Sequence, residues 1–92
     1  MCVTLIGGMD RLQSEYISVA LSEGHEMKCI PRDTKNFQDK IGKPDRLIIF
    51  TNKISHEAKN KALRLAKRLN IPVALLHSCG ISSLRDCLRQ RL

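Results

Sequence analysis

The sequence predicts a single small α/β domain, a three-layer fold in which a four-stranded parallel sheet lies between helices. Four short apolar runs alternate with amphipathic or polar segments along the 92 residues, and this alternation is typical of βα units. The segment Asp45–Phe50 has the continuous apolar character of a strand that is buried on both faces. Because parallel crossovers are right-handed, these elements favour the strand order 2-1-3-4 of a Rossmann-like or flavodoxin-like sheet.

The first half of the chain supplies two strands and one helix. Residues 2–6 form the first strand, and after the turn Gly7-Gly8-Met9 we expect Asp10 to N-cap a helix, with Gln13 completing a capping box. The buried face of this helix is predicted from apolar residues at helical spacing: Leu12, Tyr16, Ile17, Ala20 and Leu21. Gly24 ends the helix, and Glu26–Ile30 is a second strand that Pro31 stops.

The second half supplies the remaining two strands and the longer helices. Residues 31–44 are polar, with one short helix over 37–41, and strand three covers 46–50. A helix of about 56–69 follows, with Ser55 as its N-cap and Glu57 at the positive end of its dipole. Residues 72–76 form strand four, and residues 77–81 form a loop. Ser82 or Ser83 then caps a last helix whose inward residues are Leu84, Leu88 and Leu92.

Length and composition limit the class of protein. A chain of 92 residues has room for one core, so we expect one domain over residues 1–92. Aromatic residues make up only 3% of the chain, which predicts an aliphatic core. The chain has no apolar run long enough for a membrane span and no basic signal-peptide start, so we expect a cytoplasmic protein without a membrane partner. So small a core would gain stability from a homo-oligomer or a bound cofactor.

The positive charge of the chain leaves two interpretations of its surface open. The formal net charge is +7, and seven basic residues fall in the last two helices: Lys59, Lys61, Arg64, Lys67, Arg68, Arg85 and Arg89. This pattern is typical of a solvated helix face and also of a basic nucleic-acid-docking module. The few aromatic residues argue against base stacking on single strands. Without a secretion signal, the four cysteines are expected to be reduced thiols. They contain no CxxC pair, which argues against a structural zinc site.

The turn between strand three and its helix is the first candidate site. His56 lies there, at the carboxyl edge of the predicted sheet, where open α/β folds bind ligands. An imidazole at this place is either a structural cap or a ligand and base. His77 and Cys79 follow strand four, and imidazole and thiolate suit transition metals and haem iron.

A bound haem would also need an apolar pocket and partners for its carboxylates. We expect the pocket from Ile6, Ile54, Leu76 and Ile81, with Lys53, Arg85 or Arg32 meeting the carboxylates. No catalytic residue is predicted. The expected cofactor-binding residues are His56, His77, Cys79, Gly7, Gly8, Ser55, Lys53 and Arg85, of which His56, His77 and Cys79 are the expected metal ligands.

Two other motifs support different chemistry less well. Cys79 and Arg85 have the Cys-x5-Arg spacing of phosphotransfer loops, which makes a phosphotransfer or thiol enzyme an alternative. Asp86 would repel phosphate there. Gly7-Gly8 lacks the third glycine of a dinucleotide fingerprint, so a tight turn close to strand three is the simpler interpretation.

Four segments carry a family resemblance that covers nearly the whole chain. They are residues 3–8 (VTLIGG), 51–56 (TNKISH), 66–72 (AKRLNIP) and 77–84 (HSCGISSL). Together they resemble the small, uncharacterised bacterial Rossmann-like domains of the DUF2325 type, with Asn52 where an acid is often found. We therefore expect a non-catalytic regulatory or sensor domain. At least one member of the family resembles a haem-binding, oxygen-responsive protein, and this resemblance implies haem binding and gas or redox sensing.

Overall fold

The computed structural model describes residues 1–30, 37–78 and 80–89. In this part of the chain, four strands form one parallel sheet: β1 (Cys2–Ile6), β2 (Glu26–Ile30), β3 (Arg46–Phe50) and β4 (Val73–Leu76). The α-helices are α1 (Gln13–Ser22), α2 (Phe37–Ile41), α3 (His56–Leu69) and α4 (Ile81–Arg89), and short 3-10 turns cover Asp10–Leu12 and Thr51–Lys53. The strand order is β2-β1-β3-β4, which confirms the predicted fold class and order.

The sheet separates two apolar clusters because successive side chains of a strand point to opposite faces. Val3 and Leu5 of β1 belong to the cluster under α1 and α4, together with Ile48 and Phe50 of β3. Ile6 of β1 belongs to the cluster under α2 and α3, with Leu47 and Ile49 of β3 among its members. All five residues of β3 are buried, as expected of a central parallel strand.

Helix α3 shows most directly how the local sequence determines an element. The Ser55 hydroxyl accepts a hydrogen bond from the Ala58 amide at 3.1 Å and so caps the helix as predicted. Small residues bring the helix close to the sheet, and Ala58 and Ala62 are fully buried. Asn70 ends the helix in the left-handed conformation at φ 56°, a place that Asn tolerates better than most residues.

Four details differ from the sequence prediction. The chain already turns helically at Asp10, and α1 itself begins at Gln13, so the capping box does not open the α-helix. Leu21 is 60% exposed, because Val19 takes its place beside Ala20 in the core. Helix α4 begins at Ile81, which places Ser82 and Ser83 inside its first turn instead of at its N-cap. Strand β4 begins at Val73, one residue later than predicted. Leu92 lies outside the described residues.

The C-terminal end of α4 is attached to the rest of the domain by three polar contacts. Arg46, the first residue of β3, is only 3% exposed and donates from Nη1 to the Cys87 carbonyl at 3.1 Å. The Nε2 atom of His25 lies 3.3 Å from the Leu88 carbonyl, which can only accept, so Nε2 carries the proton. Arg89 Nε donates to Glu23 Oε1 at 2.9 Å. The end of α4 is therefore held at the amino edge of the sheet.

Candidate functional site at the carboxyl edge of the sheet

Three turns meet at the carboxyl edge of the sheet because the strands that precede them are parallel and in register. Phe50 pairs with Leu76, and Ile6 pairs with Ile49, so β1, β3 and β4 end at nearly the same level. We use the name carboxyl-edge site for six residues that follow the ends of these strands: Gly7, Gly8, Thr51, Ser55, His56 and His77.

The Gly7-Gly8 turn lies directly against the end of β3. Gly8 has φ 93°, and a Cβ atom built there would lie 2.9 Å from Cδ2 of Phe50 and 3.1 Å from Cε2 of Tyr16. The two rings pack with centroids 5.4 Å apart and an interplanar angle of 52°. Glycine is therefore needed at position 8 for close packing and for its backbone angle, and this agrees with the simpler interpretation of the motif.

His77 is held by a side chain from the neighbouring strand end. Its Nδ1 atom lies 2.9 Å from Oγ1 of Thr51, and the same hydroxyl lies 3.3 Å from the Leu76 carbonyl. A hydroxyl has one proton, and the carbonyl can only accept it. When Thr51 donates to Leu76, Nδ1 of His77 is the donor to Thr51, and Nε2 keeps its lone pair. Because the His77 side chain is exposed, a ligand can reach the imidazole that carries this lone pair.

His56 has a different environment from His77. It is the first residue of α3, directly after the Ser55 cap, and its side chain is exposed. The N-terminus of a helix carries partial positive charge, which disfavours a bound cation. The two imidazoles therefore differ in their suitability as metal ligands, although both lie at the carboxyl edge as the sequence predicts.

The predicted apolar pocket is wrong because the sheet divides its four residues. Ile6 and Ile54 belong to the cluster under α2 and α3, whereas Leu76 and Ile81 pack against the cluster under α1 and α4. The sequence places all four near one edge of the sheet, but it does not show on which face each side chain lies. A single cavity lined by the four is therefore not formed.

Arg85 lines a shallow groove between α1 and α4, with a volume of about 310 Å³. The other lining residues are Ser14, Glu15, Ser18, Val19 and Ile81. Cys79, the Lys53 side chain and Arg32 lie outside the described residues, so the Cys-x5-Arg arrangement stays a prediction.

The described thiols differ strongly in exposure. Cys2 is exposed, whereas burial raises the pKa of the Cys29 thiol to about 11. Burial also raises the pKa of Cys87, partly offset by the charge of Arg46. Cys29 and Cys87 therefore stay protonated near neutral pH and are poor metal ligands or nucleophiles. Among the described residues, no group of three or more His, Cys, Asp or Glu side chains is placed to hold a metal ion.

Thr51 is the residue of this site that sequence reasoning missed. Its contact with His77 joins positions 26 residues apart. The available signal was the strand order, since Thr51 follows β3 and His77 follows β4, and neighbouring parallel strands place such residues side by side. A hydroxyl at the end of one strand beside an imidazole at the end of the next is a pattern that sequence and topology together can predict.

The sheet order and the carboxyl-edge site define a small Rossmann-like α/β domain. Residues 2–91 match the family described as "Uncharacterized protein conserved in bacteria (DUF2325)", and the chain belongs to this family. No curated protein and no solved structure is detectably similar to the chain. Within the described residues, none of the helices has the length and apolar character needed to span a membrane.

Proposed function

We propose that the protein is a cytoplasmic, non-catalytic regulatory or sensor domain that binds a ligand at the carboxyl-edge site and works as a homo-oligomer. Haem or a transition metal is the proposed cofactor, bound through imidazole, and its redox or gas-binding state is the proposed signal. The observation that carries the proposal is the hydrogen bond between Thr51 and His77.

This hydrogen bond supports His77 as the ligand. Metal-ligating histidines usually donate their second ring nitrogen to a protein acceptor, which sets the tautomer and the orientation of the ring. Thr51 provides such an acceptor at 2.9 Å from Nδ1. His56 is the second choice, because the positive end of the α3 dipole opposes a cation beside it.

The division of the apolar residues also limits where a macrocycle could lie. Leu76 and Ile81 are on the α1–α4 side of the sheet, and Arg85 lines the groove on that side. We propose that haem lies on this side, with Arg85 meeting a carboxylate. A metal without a macrocycle would need His77 and further donors, for which Cys79 is the proposed candidate.

We predict that reconstituted protein shows a Soret band and that His77→Ala removes or shifts it, while His56→Ala leaves it unchanged. Thr51→Val deletes the hydroxyl at nearly constant shape, and it should weaken haem or metal affinity by about 10- to 100-fold. Spectroscopic titration of each variant measures the effect. Cys79→Ser should retain the band if imidazole is the donor.

Thr51→Ser is the matched control, because it keeps the hydroxyl and should bind like the wild type. If Thr51→Val also binds like the wild type, the hydrogen bond has no part in binding. If the wild-type protein shows no Soret band with haem and retains no metal after desalting, the proposed cofactors are wrong.

A second candidate function, docking on nucleic acid, is favoured by the charge of α3. The side chains of Arg64, Lys67 and Arg68 are exposed on this helix. The one acidic residue of α3 is Glu57, whose Oε1 lies 3.3 Å from Nζ of Lys61. Glu57 therefore pairs with Lys61 and does not neutralise these three side chains. The outer side of α3 is therefore positively charged and accessible to phosphate groups.

We predict that duplex DNA binds weakly and that binding collapses between low and physiological salt, as expected of phosphate contacts without base readout. Lys67→Glu with Arg68→Glu should reduce the slope of log affinity against log salt by about 2. Fluorescence anisotropy measures this slope.

Lys28→Glu with Lys43→Glu is the control, because it changes the net charge equally at exposed residues outside α3. An equal loss of affinity in the control would show that net charge alone is responsible. Sequence-selective binding that survives physiological salt would make nucleic-acid recognition the leading function.

A further inference from the structure

Among the described residues, β2 and β4 are the edge strands of the sheet, and they differ in their protection against pairing with another strand. β2 presents the exposed charged residues Glu26 and Lys28, which discourage the approach of a second strand. β4 has the sequence Val-Ala-Leu-Leu and carries no charge. Folded proteins usually block an open edge with charged residues, bulges or proline, so an uncharged edge strand is a candidate for pairing.

The backbone groups that β4 presents outward follow from its pairing with β3. The Leu47 amide donates to the Pro72 carbonyl at 2.9 Å, and Leu47 pairs with Val73. In a parallel ladder, alternate residues bond to the same neighbour, so the groups of residues 72, 74 and 76 face β3. The amides and carbonyls of Val73 and Leu75 therefore face away from the sheet. Pro72 does not block this outer edge, because its backbone faces inward.

Leu75 adds an exposed apolar side chain to this open edge. It is 48% exposed, although its neighbour in the sheet, Ile49, is fully buried. Val73 lies two residues earlier and so shares the face of the sheet with Leu75. Both the backbone edge and the side chains of β4 are thus suited to a strand that brings apolar residues.

We propose that β4 pairs antiparallel with β4 of a second copy of this chain, around a two-fold axis at Ala74, and forms a continuous eight-stranded sheet. Val73 then faces Leu75 of the second copy in hydrogen-bonded pairs, and the outward amides and carbonyls of both strands are satisfied. This inference rests on the homo-oligomer of the proposed function and names the strand through which the copies meet. It does not depend on any cofactor.

A second copy is the occupant that this edge itself supports, because the two-fold register brings the exposed Leu75 of each copy beside an apolar residue of the other. Each Leu75 meets a Val73 in the symmetric arrangement, so both copies bring apolar side chains to the same contact. Each chain has a formal net charge of +7, so two copies repel each other at long range. Salt screens this repulsion, and the dimer should therefore be stronger at high ionic strength.

The test is sedimentation equilibrium of the full chain with two leucine variants. Leu75→Lys should raise the dimer dissociation constant by at least about 100-fold, because each dimer buries two copies of the new charge. Leu21→Lys is the matched control: Leu21 is 60% exposed on α1, and its variant should dimerise like the wild type. Circular dichroism checks that both variants fold.

Amide hydrogen exchange provides a second measurement that needs no substitution. The Val73 and Leu75 amides should exchange slowly at high protein concentration and rapidly on dilution, whereas the Ala74 amide, which faces β3, should be protected at both. A wild-type monomer at all concentrations and salt levels would overturn both the oligomer and the interface. A dimer that persists unchanged in Leu75→Lys would keep the oligomer and overturn this interface, and neither result affects the haem titration.

Discussion

Replacing Gly8 with alanine should destabilise the protein by about 2–5 kcal/mol, the sum of backbone strain and overpacking. The backbone angle of Gly8, φ 93°, is one that L-residues rarely adopt. The new methyl group would lie 2.9 Å from Phe50 Cδ2, in a site where neither the Phe50 nor the Tyr16 ring is exposed. Denaturant unfolding of the wild type and the variant measures the difference in the free energy of unfolding.

Gly24→Ala separates the two causes of this effect. Gly24 has a similar φ of 82°, but a Cβ atom built there meets nothing within 4 Å. Its replacement should therefore cost only the backbone strain, about 1–2 kcal/mol. Equal losses in the two variants would mean that the contact of Gly8 with the two rings does not contribute to stability.

Replacing Arg46 with alanine should lower the free energy of unfolding by about 3–5 kcal/mol, because it removes a buried charged donor and leaves a cavity. The side chain is 3% exposed and donates to the Cys87 carbonyl at 3.1 Å. Without Arg46, this carbonyl at the end of α4 loses its donor in a site that the surrounding core shields from water. Thermal and denaturant unfolding both measure the loss.

Arg89→Ala is the control for Arg46→Ala, since both arginines make contacts at the C-terminal end of α4. The Arg89 side chain is 61% exposed in its ion pair with Glu23, and surface pairs contribute little to stability. The control should therefore unfold almost like the wild type. If the two variants lose similar stability, burial is not what makes the Arg46 contact strong.

The elements of this fold were predictable where the local sequence alone decides the structure. The apolar run of β3, the Ser55 cap and the short helix Phe37–Ile41 all lie where the sequence places them. In each case the relevant signal lies within a few neighbouring residues, so long-range contacts are not needed to interpret it. The strand order follows from the handedness of parallel crossovers and is confirmed.

The side-chain environments were less predictable, because they depend on the third dimension. The predicted pocket failed because the sheet lies between Ile54 and Leu76, a division that residue spacing does not show. Arg46 begins an apolar strand, and the local sequence does not show that the end of α4 covers its side chain. The partner of His77 comes from another strand end, so it becomes visible only once the topology is known.

The attachment of α4 at its last turn also determines from which side of the domain a neighbouring chain segment can extend. Arg46 and His25 bind backbone carbonyls near the end of the helix, beside the amino edge of the sheet. The first described residue lies at this edge as well, since the Glu26 amide donates to the Met1 carbonyl. The chain therefore enters the domain at Met1 and reaches Arg89 on the side opposite His56 and His77, and a domain or label fused before Met1 would leave the carboxyl-edge site open to solvent.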